Sequence, residues 1–340
     1  MPSTADAPTT SGHWTSVHLF HQGDLDTLLL DAVVPALADV GPGIRGHFFL
    51  RYWEGGPHLR VRLLSTDPPG AATDAIAEEL LARWNDWLAN HPSPRSVDEA
   101  AYLRFATESA VREGLLGFEP WRDLHDCAVP RTYVPERDRY GTGASLAAVE
   151  RHFMEASRCA EALLARRPGT AERLSAGFAV LLLTWAVVEP DARRRRDALQ
   201  AGAEAWQRML GPAYGRDEFD RAYRGSRAAL TRRANQLLTT GRQVHPGGSA
   251  GPLSEWHNSI ARLYRTLQSL EMEGEFRPDL DSLRDDPSLL ALPRSRAALT
   301  ANRCAHLMCN RLGLHGPQEA LLRHFAARAA DDLHSAAWTG

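Results

Sequence analysis

The spacing of hydrophobic and polar positions changes twice along this chain. Residues 1–12 (MPSTADAPTTSG) carry no apolar period; they are small, polar and proline-bearing, the composition of a disordered end. Trp14 to Phe20 fits a short strand. From Asp24 to Val40, Leu25, Leu28, Leu29, Ala32, Val33 and Leu37 recur at helical spacing. Pro35 inside that run predicts a kink or a break. His47–Trp53 and His58–Leu64 are two β-rich runs around Glu54-Gly55-Gly56-Pro57, which reads as a hairpin turn. Side chains alternate along a strand, so Leu59, Val61 and Leu63 face one way and His58, Arg60 and Arg62 the other.

Beyond this hairpin the period is helical. Helices are predicted near 72–89, 97–112, 144–165, 171–188, 191–210, 217–238, 253–270, 295–312 and 317–332. Loops fall at His91–Pro94, Tyr133–Gly143, His245–Pro252 and Arg277–Pro293. The predicted fold class is α+β, a small antiparallel sheet with a mainly helical body. No repeat and no clean linker is visible. The expectation is one domain over residues 13–335, with a β-containing lobe at 13–64 and a mainly helical lobe at 65–335.

Composition narrows the function. The chain has 340 residues, 44% of them hydrophobic, enough to bury a large core. Its net charge of -3 lacks the basic excess that displaces phosphate counterions, so no direct nucleic-acid binding is expected. Cys127, Cys159, Cys304 and Cys309 form no CxxC pair and suggest no disulfide framework. No signal peptide is seen, and the apolar run Phe178–Val188 is short against the roughly 20 residues of a membrane span. The expectation is a reduced, cytoplasmic, soluble protein, away from membranes. No GxGxxG, P-loop, GxSxG or HExxH pattern occurs, so no cofactor is expected and serine-hydrolase chemistry has no support.

Five segments hold residues suited to chemistry. His58-Leu-Arg-Val-Arg62 sets two guanidiniums on one strand face, with Arg51 on the partner strand as a possible third charge. Such a face can bind carboxylate or phosphate, or it is a solvated face with internal salt bridges. Tyr133–Gly141 packs charges between proline and glycine; Glu136 and Arg139, three apart, can pair if the segment turns. Otherwise it is a polar surface loop. In Cys304–Gly313, His306 and Asn310 lie one helical turn apart, and a histidine near neutral pKa is a natural general acid or base. The alternative is a histidine satisfied in the core. A zinc site of Cys304, His306 and Cys309 is disfavoured because they do not converge on one helix face. Trp256, Ser259, Ile260, Leu263 and Leu267 form a core stripe, and Arg193–Arg196 a solvated helix face.

Taken together, the segments resemble one family. Phe48-Phe-Leu-Arg-Tyr52 followed by Pro57-His-Leu-Arg-Val-Arg62 is similar to the opening of the lantibiotic dehydratase C-terminal (thiopeptide-type bacteriocin biosynthesis) domain. Glu136-Arg-Asp-Arg-Tyr-Gly141 resembles its ExxRYG segment, and His306-Leu-Met-Cys-Asn-Arg-Leu312 its near-terminal HMxxNRL helix. The blocks stand in family order across nearly the whole chain. Leu307 replaces the usual methionine, a packing change that leaves His306 in register. The stretch from Arg62 to Glu136 is longer than in the fused dehydratases. The glutamylation domain of full-length dehydratases is not seen in this chain.

The resemblance implies a stand-alone elimination subunit. A separate glutamyl-tRNA-dependent subunit would glutamylate Ser or Thr of a precursor peptide, leader plus core, and this chain would expel glutamate to leave dehydroalanine or dehydrobutyrine. His306, Arg60, Arg62, Glu136 and Arg139 would be catalytic. Arg51, His58, Tyr140, Asn310 and Arg311 would bind substrate or support those residues. No metal is implied. One alternative on the same fold is a thiopeptide pyridine synthase, joining two dehydroalanines by a formal aza-[4+2] cycloaddition with loss of water and leader peptide. Another is a non-catalytic subunit that docks the precursor.

Overall fold

The computed structural model describes residues 13–66, 70–94, 97–113, 115, 117–119, 126–211, 216–243, 251–279 and 295–336. The tail at 1–12 and most of the loops at 245–252 and 277–293 lie outside the described residues. The chain divides into two compact units, Met1–Pro135 and Glu136–Gly340.

Unit 1 is built on a four-stranded antiparallel sheet of order β2-β3-β1-β4. Its strands are β1 Trp14–Phe20, β2 Ile44–Tyr52, β3 His58–Ser65 and β4 Cys127–Arg131. The first three follow the alternation in the sequence. The fourth was not expected, because a proline inside a five-residue run argues against a strand; Pro130 is tolerated because β4 is an edge. Gly55 and Gly56 make the β2–β3 turn with φ of 75° and 120°, where a side chain would be strained.

The run from Asp24 to Val40 breaks as Pro35 predicts. Asp24 caps α1 (Leu25–Thr27) by accepting from the N–H groups of Asp26 and Thr27. A π-helical turn, Leu28–Val33, follows, and α2 (Val34–Asp39) begins with Pro35 in its first turn. Proline has no N–H to offer the carbonyl four residues back and its ring crowds that carbonyl. The wider π turn takes up the discontinuity. Helix α3 (Ala71–Asn90) then packs on β4, β1 and the π turn, with Leu80, Trp84 and Leu88 buried. Helix α4 (Glu99–Glu113) adds Ala106 and Ala110 against Trp53.

Unit 2 is helical: α5 Arg137–Tyr140, α6 Ala144–Leu164, α7 Thr170–Val188, α8 Ala192–Leu210, α9 Arg216–Gln243, α10 Pro252–Met272, α11 Arg296–Arg311 and α12 Gly316–Ala336. Helix α7 is long and apolar enough to cross a membrane by length and composition. Here Phe178 to Trp185 are buried, and α7 packs against α9, α10, α11 and α12. Helix α8 lies along α12 and α6 along α10, where the stripe Trp256, Ser259, Ile260, Leu263 and Leu267 is buried.

The arginine run at 193–196 is not wholly solvated. Arg195 is buried and donates to the carbonyls of Glu189 and Pro190, closing the loop that precedes α8. Buried carbonyls need donors, and a guanidinium supplies several from one side chain.

Two predictions follow from this packing. His152 on α6 is buried, with Nδ1 2.8 Å from Ser259 Oγ, whose hydroxyl donates to Glu155. Burial, helped by the charges of Arg311 and Arg262, pushes its pKa down to about 3. The unfolded chain protonates near 6.5 and the folded one does not. Its stabilising contribution is therefore full above pH 6.5 and drains away as pH falls towards 3, by on the order of 2 kcal/mol at pH 5. Urea titrations at pH 7.5 and 5.0 should show this loss, and His152→Gln should shrink the difference. Gly141 ends α5 with φ 73°, and a Cβ there would meet Ser145 Oγ at 2.5 Å. Gly141→Ala should cost at least about 1 kcal/mol in the same assay.

Candidate functional site

In unit 1 His58, Arg60 and Arg62 lie on one face of the sheet, opposite to Leu59, Val61 and Leu63, and share it with the buried Phe20 and Phe48. Directly paired residues in an antiparallel sheet share a face. Leu50 and His18 flank Arg60, while Phe48 and Ser16 flank Arg62. Arg60 donates to Glu54 at 3.0 Å and its guanidinium sits 3.3 Å from the centre of the Tyr52 ring. His58 is fully buried and donates from Nδ1 to the Gly56 carbonyl at 2.8 Å. Its Nε2 accepts from Arg60 Nε at 3.3 Å, which fixes the neutral tautomer. Burial pushes its pKa down to about 3 despite that carbonyl bond, and the charges of Arg60, Arg62 and Arg131 push the same way. His58 is therefore a neutral imidazole at pH 7.

Arg51 is not the third charge of this face. It pairs with Leu59 across the hairpin, so it points to the opposite face, where it binds the buried carboxylate of Asp26 and ties β2 to α1. The third guanidinium is Arg131 on β4. Ser16 of β1 stands opposite Arg62 on one side and Arg131 on the other. Sequence reasoning missed Arg131 because it missed β4.

In unit 2, His306 lies on the accessible stripe of α11 with Arg303, Leu307 and Asn310; Ala305, Met308 and Cys309 between them are buried. The His306 side chain is 37% exposed, and its Nδ1 donates to Glu319 Oε2 at 2.7 Å. Glu319 on α12 is buried. Its other oxygen accepts from Arg323 Nε at 3.0 Å and Nη2 at 2.8 Å, and Arg323 Nη1 donates to Asn302 Oδ1 at 3.1 Å. Burial alone would raise the Glu319 pKa, but the charges of His306 and Arg323 and their hydrogen bonds hold it below the usual carboxylate value. With Nδ1–H donating to Glu319, a proton gained by the imidazole goes to Nε2, the logic by which a carboxylate orients a catalytic imidazole. Nothing in the sequence marked Glu319 or Arg323, since both read as ordinary positions of a terminal helix.

The segment before α6 forms a short turn. Glu136 and Arg139 pair at 3.4 Å, both partly open to solvent. Tyr140 is buried, not surface-facing, and its hydroxyl accepts from Arg303 Nε at 3.1 Å. Arg303 is one turn before His306, so this bond ties the Glu136–Arg139 turn to the helix that carries the imidazole. Arg311 does not share the His306 stripe. It is fully buried, bonded to Ser157 at 3.1 Å, and burial pushes its pKa down to about 10. Among the described residues no cluster of His, Cys, Asp and Glu is placed to hold a metal.

The Glu319 network can be tested apart from any reaction. Glu319→Ala leaves the buried Arg323 guanidinium without its carboxylate and should destabilise the fold by about 3–5 kcal/mol in denaturant titrations.

Residues 14–330 match the family profile described as lantibiotic biosynthesis dehydratase C-term. Solved structures share the fold. The pyridine synthase TbtD from thiomuracin biosynthesis is 24% identical with a TM-score of 0.77, over 95% of this chain and 99% of that one. TsrL is 19% identical with a TM-score of 0.65, over 96% of both chains. The tRNA-dependent lantibiotic dehydratase MibB from Microbispora sp. 107891 is 21% identical with a TM-score of 0.57, over 98% of this chain and 29% of that one. No curated protein sequence matches at a significant level. With the family profile spanning nearly the whole chain, the protein belongs to the lantibiotic dehydratase C-terminal family.

Proposed function

We propose that this chain eliminates glutamate from glutamylated Ser or Thr residues of a ribosomally made peptide. The observation that carries this is the accessible imidazole of His306, held at Nδ1 by the buried Glu319–Arg323 pair. In the reaction the Cα–H and Cβ–O bonds break, a Cα=Cβ bond forms, and glutamate leaves as a carboxylate. His306 Nε2 takes the α-proton. Arg60, Arg62 and Arg139 hold the glutamate or the enolate-like charge, and Glu136 orients Arg139. Asn310, on the same stripe as His306, contacts the peptide. Arg51, His58, Tyr140 and Arg311 keep supporting roles through the bonds described above. The partners are the precursor peptide and a separate glutamylating subunit, and the protein works in the cytoplasm without a cofactor.

One observation favours a second reading. Arg60 and Arg139 already have carboxylate partners in Glu54 and Glu136, as expected of a face with no glutamate to hold. The end-to-end likeness to TbtD points the same way. In that reading the chain is a pyridine synthase, and His306 moves protons during aromatisation.

Intact-mass measurements on two peptides separate these readings. A peptide carrying a glutamylated serine should lose glutamate. His306→Ala should slow that loss by about 10²–10⁴-fold, with a comparable effect from Arg62→Ala. The two effects should combine less than additively, because both residues act on one transition state. A peptide with two dehydroalanines should be left unchanged; loss of water and leader from it would make the protein a pyridine synthase. Tight binding of both peptides with no mass change would leave a docking subunit.

A further inference from the structure

The charge of the sheet face in unit 1 reaches beyond the two arginines of β3. Strand β1 lies between β3 and β4, and Ser16 is the residue that Arg62 and Arg131 both face. With adjacent strands about 4.8 Å apart, the Cα atoms of Arg62 and Arg131 stand roughly 10 Å apart with Ser16 between them. Side chains as long as arginine converge easily over that span. On its own strand Ser16 is flanked on the same face by Trp14 and His18. The hydroxyl is therefore buried among four large side chains of this face, and Trp14 itself packs against Phe48 and Tyr133, with ring centroids 5.2 and 5.4 Å away.

Two features of this row lack an internal explanation. Ser16 is only 3% exposed, and its Oγ makes no hydrogen bond among the described residues. A buried hydroxyl is ordinarily paired, because leaving it unpaired is unfavourable. Arg131 is exposed and makes no ion pair among the described residues. The neighbouring imidazoles do not compensate for it. Burial, followed by their mutual proximity and the charges of Arg60, Arg62 and Arg131, pushes His18 down to about 2, and His58 stands at about 3. Both are neutral at physiological pH, and every charged group that acts on them is a guanidinium.

We infer that Ser16 and Arg131 extend the arginine face into a binding row, Arg62–Ser16–Arg131, that takes a carboxylate. A carboxylate has two oxygens and about four acceptor sites, enough for a guanidinium on each side and a hydroxyl beneath. The row rests on the elimination reading only for the identity of its ligand, one carboxylate of the departing glutamate. The bound carboxylate would supply the missing partner for the Ser16 hydroxyl, accepting from its O–H. Arg131 is a substrate-binding residue on the edge strand, outside the family motifs that pointed to Arg60 and Arg62.

The test is calorimetric titration of L-glutamate into the full chain, alongside the mass assay for elimination. Saturable binding to the wild type is expected. Arg131→Gln should weaken it by about tenfold or more, Ser16→Ala by a few-fold, and Arg131→Lys should recover part of the loss. Arg131 lies exposed on an edge strand, and an unchanged circular dichroism spectrum and melting temperature will show that the variant is folded. In turnover, Arg131→Gln should raise KM for the glutamylated peptide more than it lowers kcat. Equal glutamate affinity in wild type and Arg131→Gln overturns the row, as does the absence of saturable binding to the wild type. Arg131-dependent glutamate binding without elimination would uphold the row and overturn the reaction. Elimination with an unchanged KM in Arg131→Gln would overturn the row alone.

Discussion

The two-residue alternation of β3 is the constraint from which the rest of unit 1 follows. Leu59, Val61 and Leu63 are buried on one face of the sheet, so Arg60 and Arg62 must occupy the other. A slip of one residue would exchange both guanidiniums with the three aliphatic side chains between the two faces. The cationic face is thus held in place by the apolar one. Its neighbours adapt to that charge: Tyr52 lies under Arg60, Glu54 pairs with it, and His18 and His58 stay neutral. A protonated imidazole beside three guanidiniums would be driven off by repulsion as well as by burial.

Unit 2 solves the opposite problem, a buried negative charge. Glu319 is tolerated in the core because Arg323 reaches it with two nitrogens and His306 with a third. That arrangement has a directional consequence. Arg323 is itself anchored by Asn302 on α11, the helix that carries His306. The carboxylate therefore cannot shift without disturbing its donors from both helices. The imidazole is fixed by the same contacts that make α11 and α12 one structural piece, and its orientation is inherited from folding.

How much of this could be read from the sequence depended on the distance over which each feature is encoded. Local periodicity was legible: the nine long helices, three strands and the hairpin lie where the spacing placed them, and His306 with Asn310 falls on the open stripe of α11. Features set by register or by helix–helix contact were not. Arg51 looked like a partner of Arg60 because the two are near in sequence and alike in charge. Which face it takes depends on the pairing across the Glu54–Pro57 turn, and that pairing puts it opposite Leu59. Strand β4 was hidden by Pro130, whose cost depends on whether the strand is central or at an edge. Glu319 is 13 residues from His306 and on another helix, so no spacing rule joins them. Arg195 and Arg311 illustrate the same limit. Arginine is mostly exposed as a type, and only the carbonyls or the hydroxyl waiting inside made these two exceptions.

The arginines differ in how readily they could exchange an internal partner for a ligand, and this bears on which reaction the fold performs. Arg51 and Asp26 are both nearly enclosed, so separating them would strand a charge away from water. Arg51 is committed to structure. The Arg60–Glu54 and Arg139–Glu136 pairs are open on the carboxylate side, with Glu54 31% and Glu136 46% exposed. Pairs of that kind are worth about 0–1 kcal/mol, because the released carboxylate is simply taken up by water. An incoming carboxylate can therefore displace either one at little cost. Internal pairing at Arg60 and Arg139 is therefore compatible with a glutamate-holding role. It keeps long cationic side chains ordered in the free protein, and so lowers the conformational cost of meeting the ligand.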